Sequence, residues 1–197
     1  MSSREKILQA VKTNQPALQP LPQWENMDAI QYENNFQQFS AILKTIGGTV
    51  MEIANTNEII EYVKNNFSNH QNYVTTLPQL QGINQLDENL DAHFLDNIEV
   101  AVVGALFGVA ENGAVWLTGD EMKIRALPFI CQHLAVVLNK KDIVSNMLQA
   151  YNLIGNNAYG FGVFIAGPSK TADIEQSLVL GAHGPKTMTV FVLNIPA

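Results

Sequence analysis

Two segments of this chain carry polar residues at spacings that could do chemistry. The first, Gly108-Val109-Ala110-Glu111-Asn112-Gly113, sets a carboxylate and an amide into an otherwise apolar stretch. Glu111 could act there as a base; equally, Asn112-Gly113 could be the tight turn of a hairpin with Glu111 solvated. The second, Gly167-Pro168-Ser169-Lys170-Thr171-Ala172-Asp173-Ile174-Glu175, places a glycine turn ahead of two hydroxyls, a cation and two acids. Read as a turn opening a helix over Thr171–Val179, it would aim unpaired N–H groups and a helix dipole at a carboxylate or phosphate, with Lys170 beside them. The competing reading is a capped helix, with Ser169 or Thr171 as N-cap and Asp173 and Glu175 answering the dipole themselves. The spacing matches neither the phosphate-loop nor the dinucleotide glycine pattern, so it implies no nucleotide.

Downstream, Gly181-Ala182-His183-Gly184-Pro185-Lys186 flanks a histidine with glycines. A ring with no bulky neighbours is exposed, and imidazole moves protons near neutral pH, so His183 is the leading candidate general acid or base; a plain surface loop is the alternative. Arg125, between Asp120-Glu121 and the apolar Ala126–Ile130, could clamp a carboxylate or form a structural ion pair. His133 precedes a buried strand and reads as a structural histidine, while His70 and His93 lie in polar segments. No two histidines stand at a metal-binding helical spacing, and Ser169 lacks the following glycine of a hydrolase elbow.

The elements that must position these residues alternate. Ile7, Leu8 and Val11 mark a short arm helix, and Pro16, Pro20 and Pro22 stiffen a linker after it, which divides the chain into an arm at 1–23 and a domain at 24–197. Helical periodicity runs over Asp28–Ile46 and stops at Gly47-Gly48. A strand at Thr49–Ala54, a helix from a Thr56 cap to Phe67 and a strand at Asn72–Thr76 suggest a βαβ unit. Val100–Ala105 reads as a buried strand, Ala114–Thr118 and Leu134–Leu138 as strands, Lys141–Tyr151 as a helix, and Gly162–Ala166 and Met188–Leu193 as further strands. Such alternation predicts an α/β fold with a mostly parallel sheet, and ligands of open α/β sheets sit beyond the carboxyl ends of the strands.

Composition narrows the function. Eleven Lys+Arg against 18 Asp+Glu give a formal charge of −7, the wrong sign for a protein that tracks a phosphate backbone, so nucleic acid is disfavoured. Cys131 is the single cysteine, set in the apolar Pro128-Phe129-Ile130-Cys131, which excludes an intrachain disulfide or an all-cysteine iron–sulfur cluster in these 197 residues. No apolar run reaches the ~20 residues needed to span a bilayer, and the first residues lack a signal-peptide pattern; the expected compartment is the cytoplasm.

The run Ala166-Gly167-Pro168-Ser169-Lys170-Thr171-Ala172-Asp173-Ile174-Glu175-Gln176-Ser177-Leu178-Val179-Leu180-Gly181-Ala182-His183-Gly184-Pro185 closely resembles the signature of the LUD-domain family, within it the lactate utilization C group (LutC/YkgG). A second block, Gly108 to Leu117, resembles the family as well, and a third runs from Arg125 through Leu134–Leu138. The resemblance implies a sheet between helix layers, of the NagB/RpiA/CoA-transferase-like kind. It also implies a part in oxidising L-lactate to pyruvate alongside companions that carry the iron–sulfur clusters, with no cofactor in this chain. The motif positions carried over are Glu111, Ser169, Thr171, Asp173, Glu175, His183 and Gly184. Two departures stand out. Asn112 and Ala114 replace the family's threonines, and Lys170 replaces its arginine, keeping charge but losing the bidentate fork.

Three functions follow. The chain could be the substrate-binding part of a lactate-oxidising complex, with catalytic roles for His183, Glu111 and Asp173 and substrate contacts from Ser169, Lys170, Thr171, Glu175, Gly184 and Arg125. It could be a non-catalytic assembly or ligand-sensing subunit. It could be an isomerase- or acyl-transferase-like enzyme on a sugar phosphate or CoA ester, with Glu111 as base or nucleophile. The first predicts that the loops of Glu111 and His183 converge at one edge of the sheet.

Overall fold

The computed structural model describes residues 2–20, 28–67, 72–172 and 178–194. Helix α1 (Ser3–Thr13) opens on a capping box in which Ser2 and Glu5 satisfy each other's backbone N–H groups. It buries none of its residues, leaving Ile7, Leu8 and Val11 more than half exposed. Residues 14–20 continue as exposed, irregular chain.

Helix α2 covers Asn35–Thr45, shorter at its start than the periodicity from Asp28 predicts. Asn34 caps it, and residues 30–32 bond to Ser145, Asn146 and Gln149 instead of to a helical turn. Gly47, with φ +92°, ends the helix in the left-handed conformation that a β-carbon disfavours. Strand β1 (Thr49–Ile53), helix α3 (Asn57–Asn66) and strand β2 (Tyr73–Thr75) follow. Thr56 makes no side-chain cap; the Glu58 carboxylate accepts from the N–H groups of Ala54 and Asn55 in its place.

The central sheet is six-stranded and wholly parallel. It contains β1, β2, β3 (Asn84–Gln85), β4 (Val100–Gly104), β7 (His133–Asn139) and β12 (Thr187–Leu193), in the order β1-β12-β7-β4-β2-β3. β1 and β2 are therefore parallel but not neighbours. Three strands lie between them, and α3 crosses that width, which corrects the simple βαβ reading. The near-continuous apolar runs of β4, β7 and β12 follow from burial on both faces. On one face Ile59 and Val63 of α3 pack against Val100, Val102, Ala135, Val137 and Phe191. On the other, Phe39 and Leu43 of α2 meet Ala101, Val103, Leu134, Val136, Val190 and Val192.

That second face also carries a smaller mixed sheet, in the order β8-β5-β6-β9, with β5 Phe107–Val109, β6 Ala114–Thr118, β8 Ile143–Val144 and β9 Gly162–Ile165. β9 is therefore not a strand of the parallel sheet. Short helices α4 (Gly119–Met122) and α5 (Leu127–Ile130) bridge β6 to β7, and α6 (Met147–Ile154) follows β8. The helix expected from Lys141 starts later because 140–142 form a 3-10 turn and Asn146 supplies the cap, its side-chain Oδ1 accepting from the Gln149 N–H. Among the described residues no helix is long and apolar enough to cross a membrane.

Candidate functional site

Beyond β9 the chain does not form the expected helix at Thr171–Val179. Lys170–Ala172 is strand β10 and Leu178–Leu180 is strand β11, paired antiparallel with Thr171 opposite Val179. The Gly181 N–H closes this ladder on the Ser169 carbonyl at 3.1 Å. There is accordingly no helix N-terminus at Lys170 to hold an anion, and neither Ser169 nor Thr171 is an N-cap. Asp173 and Glu175 lie outside the described residues.

What positions the two motifs is the last turn of α2. Gly113 ends the β5–β6 hairpin turn with φ +69°, and a β-carbon there would lie 3.1 Å from the Leu43 backbone. Gly167 has φ +75°, and its β-carbon would lie 3.1 Å from the Ile46 carbonyl oxygen. Each loop thus rests on the helix through a residue that must be glycine for two separate reasons. The hairpin reading of Asn112-Gly113 is the one observed: the Asn112 side chain accepts from the Ala114 N–H at 3.0 Å. Glu111, half-buried, donates its backbone N–H to the Ser145 carbonyl at 3.0 Å.

Ser169 links this corner to the histidine loop. Its N–H donates to the Pro185 carbonyl at 2.9 Å, and a β-carbon on Gly184 would approach the Ser169 β-carbon to 3.1 Å. Pro168 and Pro185 are buried beneath, while Lys170 and His183 are exposed. The Lys170 side chain extends over Gly47, its Cε and Nζ 3.5 Å from where a β-carbon would sit. Antiparallel β6–β9 pairing puts Val115 opposite Ile165, so the start of β6, just after Glu111–Gly113, lies beside the end of β9 that leads into Gly167. The segments bearing Glu111, Ser169, Lys170, His183 and Gly184 therefore gather at one end of the molecule.

That end is the amino edge of the parallel sheet. The Lys186 N–H donates to the Gln132 carbonyl at 2.8 Å, immediately ahead of the paired starts of β12 and β7 at Thr187 and His133. Ile46 and Gly47 precede the start of β1. Contrary to expectation, the motif segments thus do not lie beyond the carboxyl ends of the parallel strands: the Gly181–Lys186 loop enters β12, while the Glu111 turn joins β5 to β6 and Gly167 follows β9. Arg125 stands apart. Its guanidinium lies 5.0 Å from the Phe161 ring centre, at the opposite end of β9 from Gly167.

A neighbouring cluster was not singled out from sequence. His133 Nδ1 is 2.8 Å from Thr187 Oγ1, and its ring centre lies 4.5 Å from that of Phe67. Burial holds the imidazole below its ordinary pKa, opposed by the Glu99 carboxylate and reinforced by the Lys186 cation. One Glu99 oxygen is buried without a partner among the described residues. The signal for this placement was the period of two that sets His133 in phase with Ala135 and Val137 on the α3 face.

The Cys131 thiol is buried and pushed up to about 12 by desolvation, so it fits neither a nucleophile nor a cluster ligand. Among the described residues no group of three His, Cys, Asp or Glu side chains could hold a metal ion.

Residues 81–193, more than half of the sequence, match the family model of the LUD domain. The chain belongs to the LUD domain family. This LUD domain chain is 34% identical over 119 residues to Lactate utilization protein C of Bacillus pumilus, an alignment covering 54% of this chain and 50% of that protein. It is 32% identical over 132 residues to Lactate utilization protein C of Oceanobacillus iheyensis, covering 58% and 57% respectively. The chain spans about half the length of the curated relatives it matches. In fold it is similar to the crystal structure of a DUF162 family protein from Deinococcus radiodurans, with a TM-score of 0.62 at 16% identity, over 81% of this chain and 96% of that one.

Proposed function

We propose that this LUD domain chain works in lactate utilization, taking a small 2-hydroxy carboxylate at the amino-edge corner where Ser169 abuts Gly184 beside the last turn of α2. The name shared by its relatives supports the lactate part of the reading. The close approach of Ser169 and Gly184, which sets a hydroxyl, a lysine and a histidine on adjoining loops, supports the location.

In this reading the Lys170 ammonium, freed of any helix dipole, meets the substrate carboxylate as a point charge, and Ser169 orients it by a hydrogen bond. The His183 imidazole accepts the hydroxyl proton, the C2–H bond breaks with its proton passing to a second base, for which Glu111 and Asp173 are the candidates, and its two electrons leave as the C=O bond forms. Going from lactate to pyruvate releases two electrons and two protons. The electrons need an acceptor, and the family resemblance implies an iron–sulfur partner protein in that role, in keeping with a chain whose single buried cysteine cannot hold a cluster.

The test is a pull-down of the tagged chain from its native cell, assayed for iron and for lactate-dependent dye reduction, wild type beside His183→Ala. Iron and activity co-eluting with wild type, with the variant keeping iron but losing activity, is the expected result. A fully active variant would make the loop an assembly feature, and a chain recovered alone would leave the lactate reading without a complex to act in.

A further inference from the structure

Among the described residues the smaller sheet ends in a strand whose outer edge is open. β9 hydrogen bonds to β6 and, among the described residues, to no other strand. Which of its groups face outward follows from the ladder. The Trp116 carbonyl accepts from the Leu106 N–H, so Trp116 turns its backbone groups toward β5. Backbone groups alternate in direction along an antiparallel strand, so Val115 and Leu117 face β9 and are met by their partners Ile165 and Val163. The Phe161 carbonyl, which accepts from Gly119, continues the same series. The N–H and C=O groups of Gly162 and Phe164 therefore point away from β6.

An open edge is a template for another strand, and proteins usually blunt it with charge, proline or a bulge. The sequence Gly162-Val163-Phe164-Ile165 has no charge and no proline, and its pairing with β6 runs without a bulge. All four residues are half-buried, so both faces are covered while the edge is not. Beside it stands Tyr151 of α6, 61% exposed although its ring packs against Phe164 at 6.1 Å.

We infer that β9 pairs antiparallel with β9 of a second copy of this chain, about a two-fold axis through Val163, joining two four-stranded sheets into one. The spacing of the free groups sets the register of this pairing. The outward residues lie two apart, on either side of Val163, so rotation about that residue sets Gly162 opposite Phe164 of the other copy and Phe164 opposite its Gly162. Both become hydrogen-bonded pairs, each exchanging two N–H to C=O bonds, and every outward group of the strand is satisfied by the same segment. A strand without charge brings two acidic molecules together at a point where neither adds repulsion.

On the axis, Val163 faces its own copy as a non-hydrogen-bonded pair, with α-carbons about 4.5 Å apart, within the span of a disulfide. The test is therefore sedimentation of the full chain together with oxidative cross-linking of Val163→Cys; the native Cys131 is buried and does not compete. Expected are a mass twice the 21.7 kDa of one chain and a disulfide-linked dimer from Val163→Cys that Thr49→Cys, on the far edge of the other sheet, does not give. A circular dichroism spectrum like that of wild type shows that the variant has folded. A monomer at all concentrations up to hundreds of micromolar, or a dimer in which Val163→Cys fails to cross-link, overturns the inference.

Discussion

Replacing Gly113 by alanine tests whether the hairpin turn rests on α2 as described. At φ +69° an L residue pays roughly 1–2 kcal/mol for the left-handed conformation alone. The added β-carbon would also meet the Leu43 N and Cα at 3.1 Å, atoms that cannot swing aside as a flexible side chain would. Crowding of this kind costs typically about 1–3 kcal/mol, bringing the sum to about 3 kcal/mol. Gly160 is the control, with φ +68° but no atom within 4 Å of its would-be β-carbon, so Gly160→Ala carries the conformational cost only. With a urea slope of about 2 kcal/mol/M, Gly113→Ala should lower the unfolding midpoint by about 1.5 M and Gly160→Ala by about 0.5–1 M. Far-UV circular dichroism reads both transitions. Equal midpoints for the two variants would refute the close seating of the turn on Leu43, and with it the account of how Glu111 is placed.

Three further outcomes are expected. His133 has a folded-state pKa below its unfolded value, so the native state binds fewer protons there; its contribution to stability is present above about pH 6.5 and is lost as pH falls through the lower folded value. Thermal melts of wild type should therefore lose more between pH 8 and pH 5 than those of His133→Gln. Cys131, with its thiol near 12, should leave a thiol reagent unreacted in the native protein and titrate one equivalent in denaturant. Arg125→Ala, which removes the stacking on Phe161, should cost about 0.5–1 kcal/mol by urea titration and leave carboxylate binding unchanged, whereas Lys170→Ala should weaken that binding.

The parallel core was legible because full burial writes itself as unbroken apolar runs. Val100 to Gly104 and Leu134 to Leu138 sit where the pattern places them. The β5–β6 hairpin was legible too, since Asn112-Gly113 has the turn chemistry the ladder needs. The segment after Gly167 was misread because a glycine turn followed by Ser, Lys, Thr and acids satisfies the rules for a helix start, while the ladder it forms depends on Leu178 to Leu180 further along the chain. Strand order was invisible for a related reason: periodicity tells which face of a strand is buried but not which strand lies beside it. The amino-edge location of the motif follows from that order, so it lay beyond what local patterns encode. Arg125 was grouped with the motif because a guanidinium between Asp120-Glu121 and the apolar Ala126–Ile130 could clamp a carboxylate; local sequence did not show its aromatic neighbour at 161.

The place of β12 in the middle of the larger sheet has a consequence for how the molecule is made. β1 has β12 as its partner strand, and β7 depends on β12 to fill its other edge, so residues 187–193 join what would otherwise be two separate pieces. A chain emerging from the ribosome in order has β1, β2, β4 and β7 in hand long before this strand appears. Until then β7 has a bare apolar flank and β1 has nothing to dock on. Assembly must wait for the last strand to slide into a gap held open between elements more than 80 residues apart in sequence. Slow, late closure of this kind is the expected behaviour of such non-local pairing. The vulnerable period of this molecule is therefore its synthesis, when an unfilled slot of a β-sheet is open to whatever strand comes by.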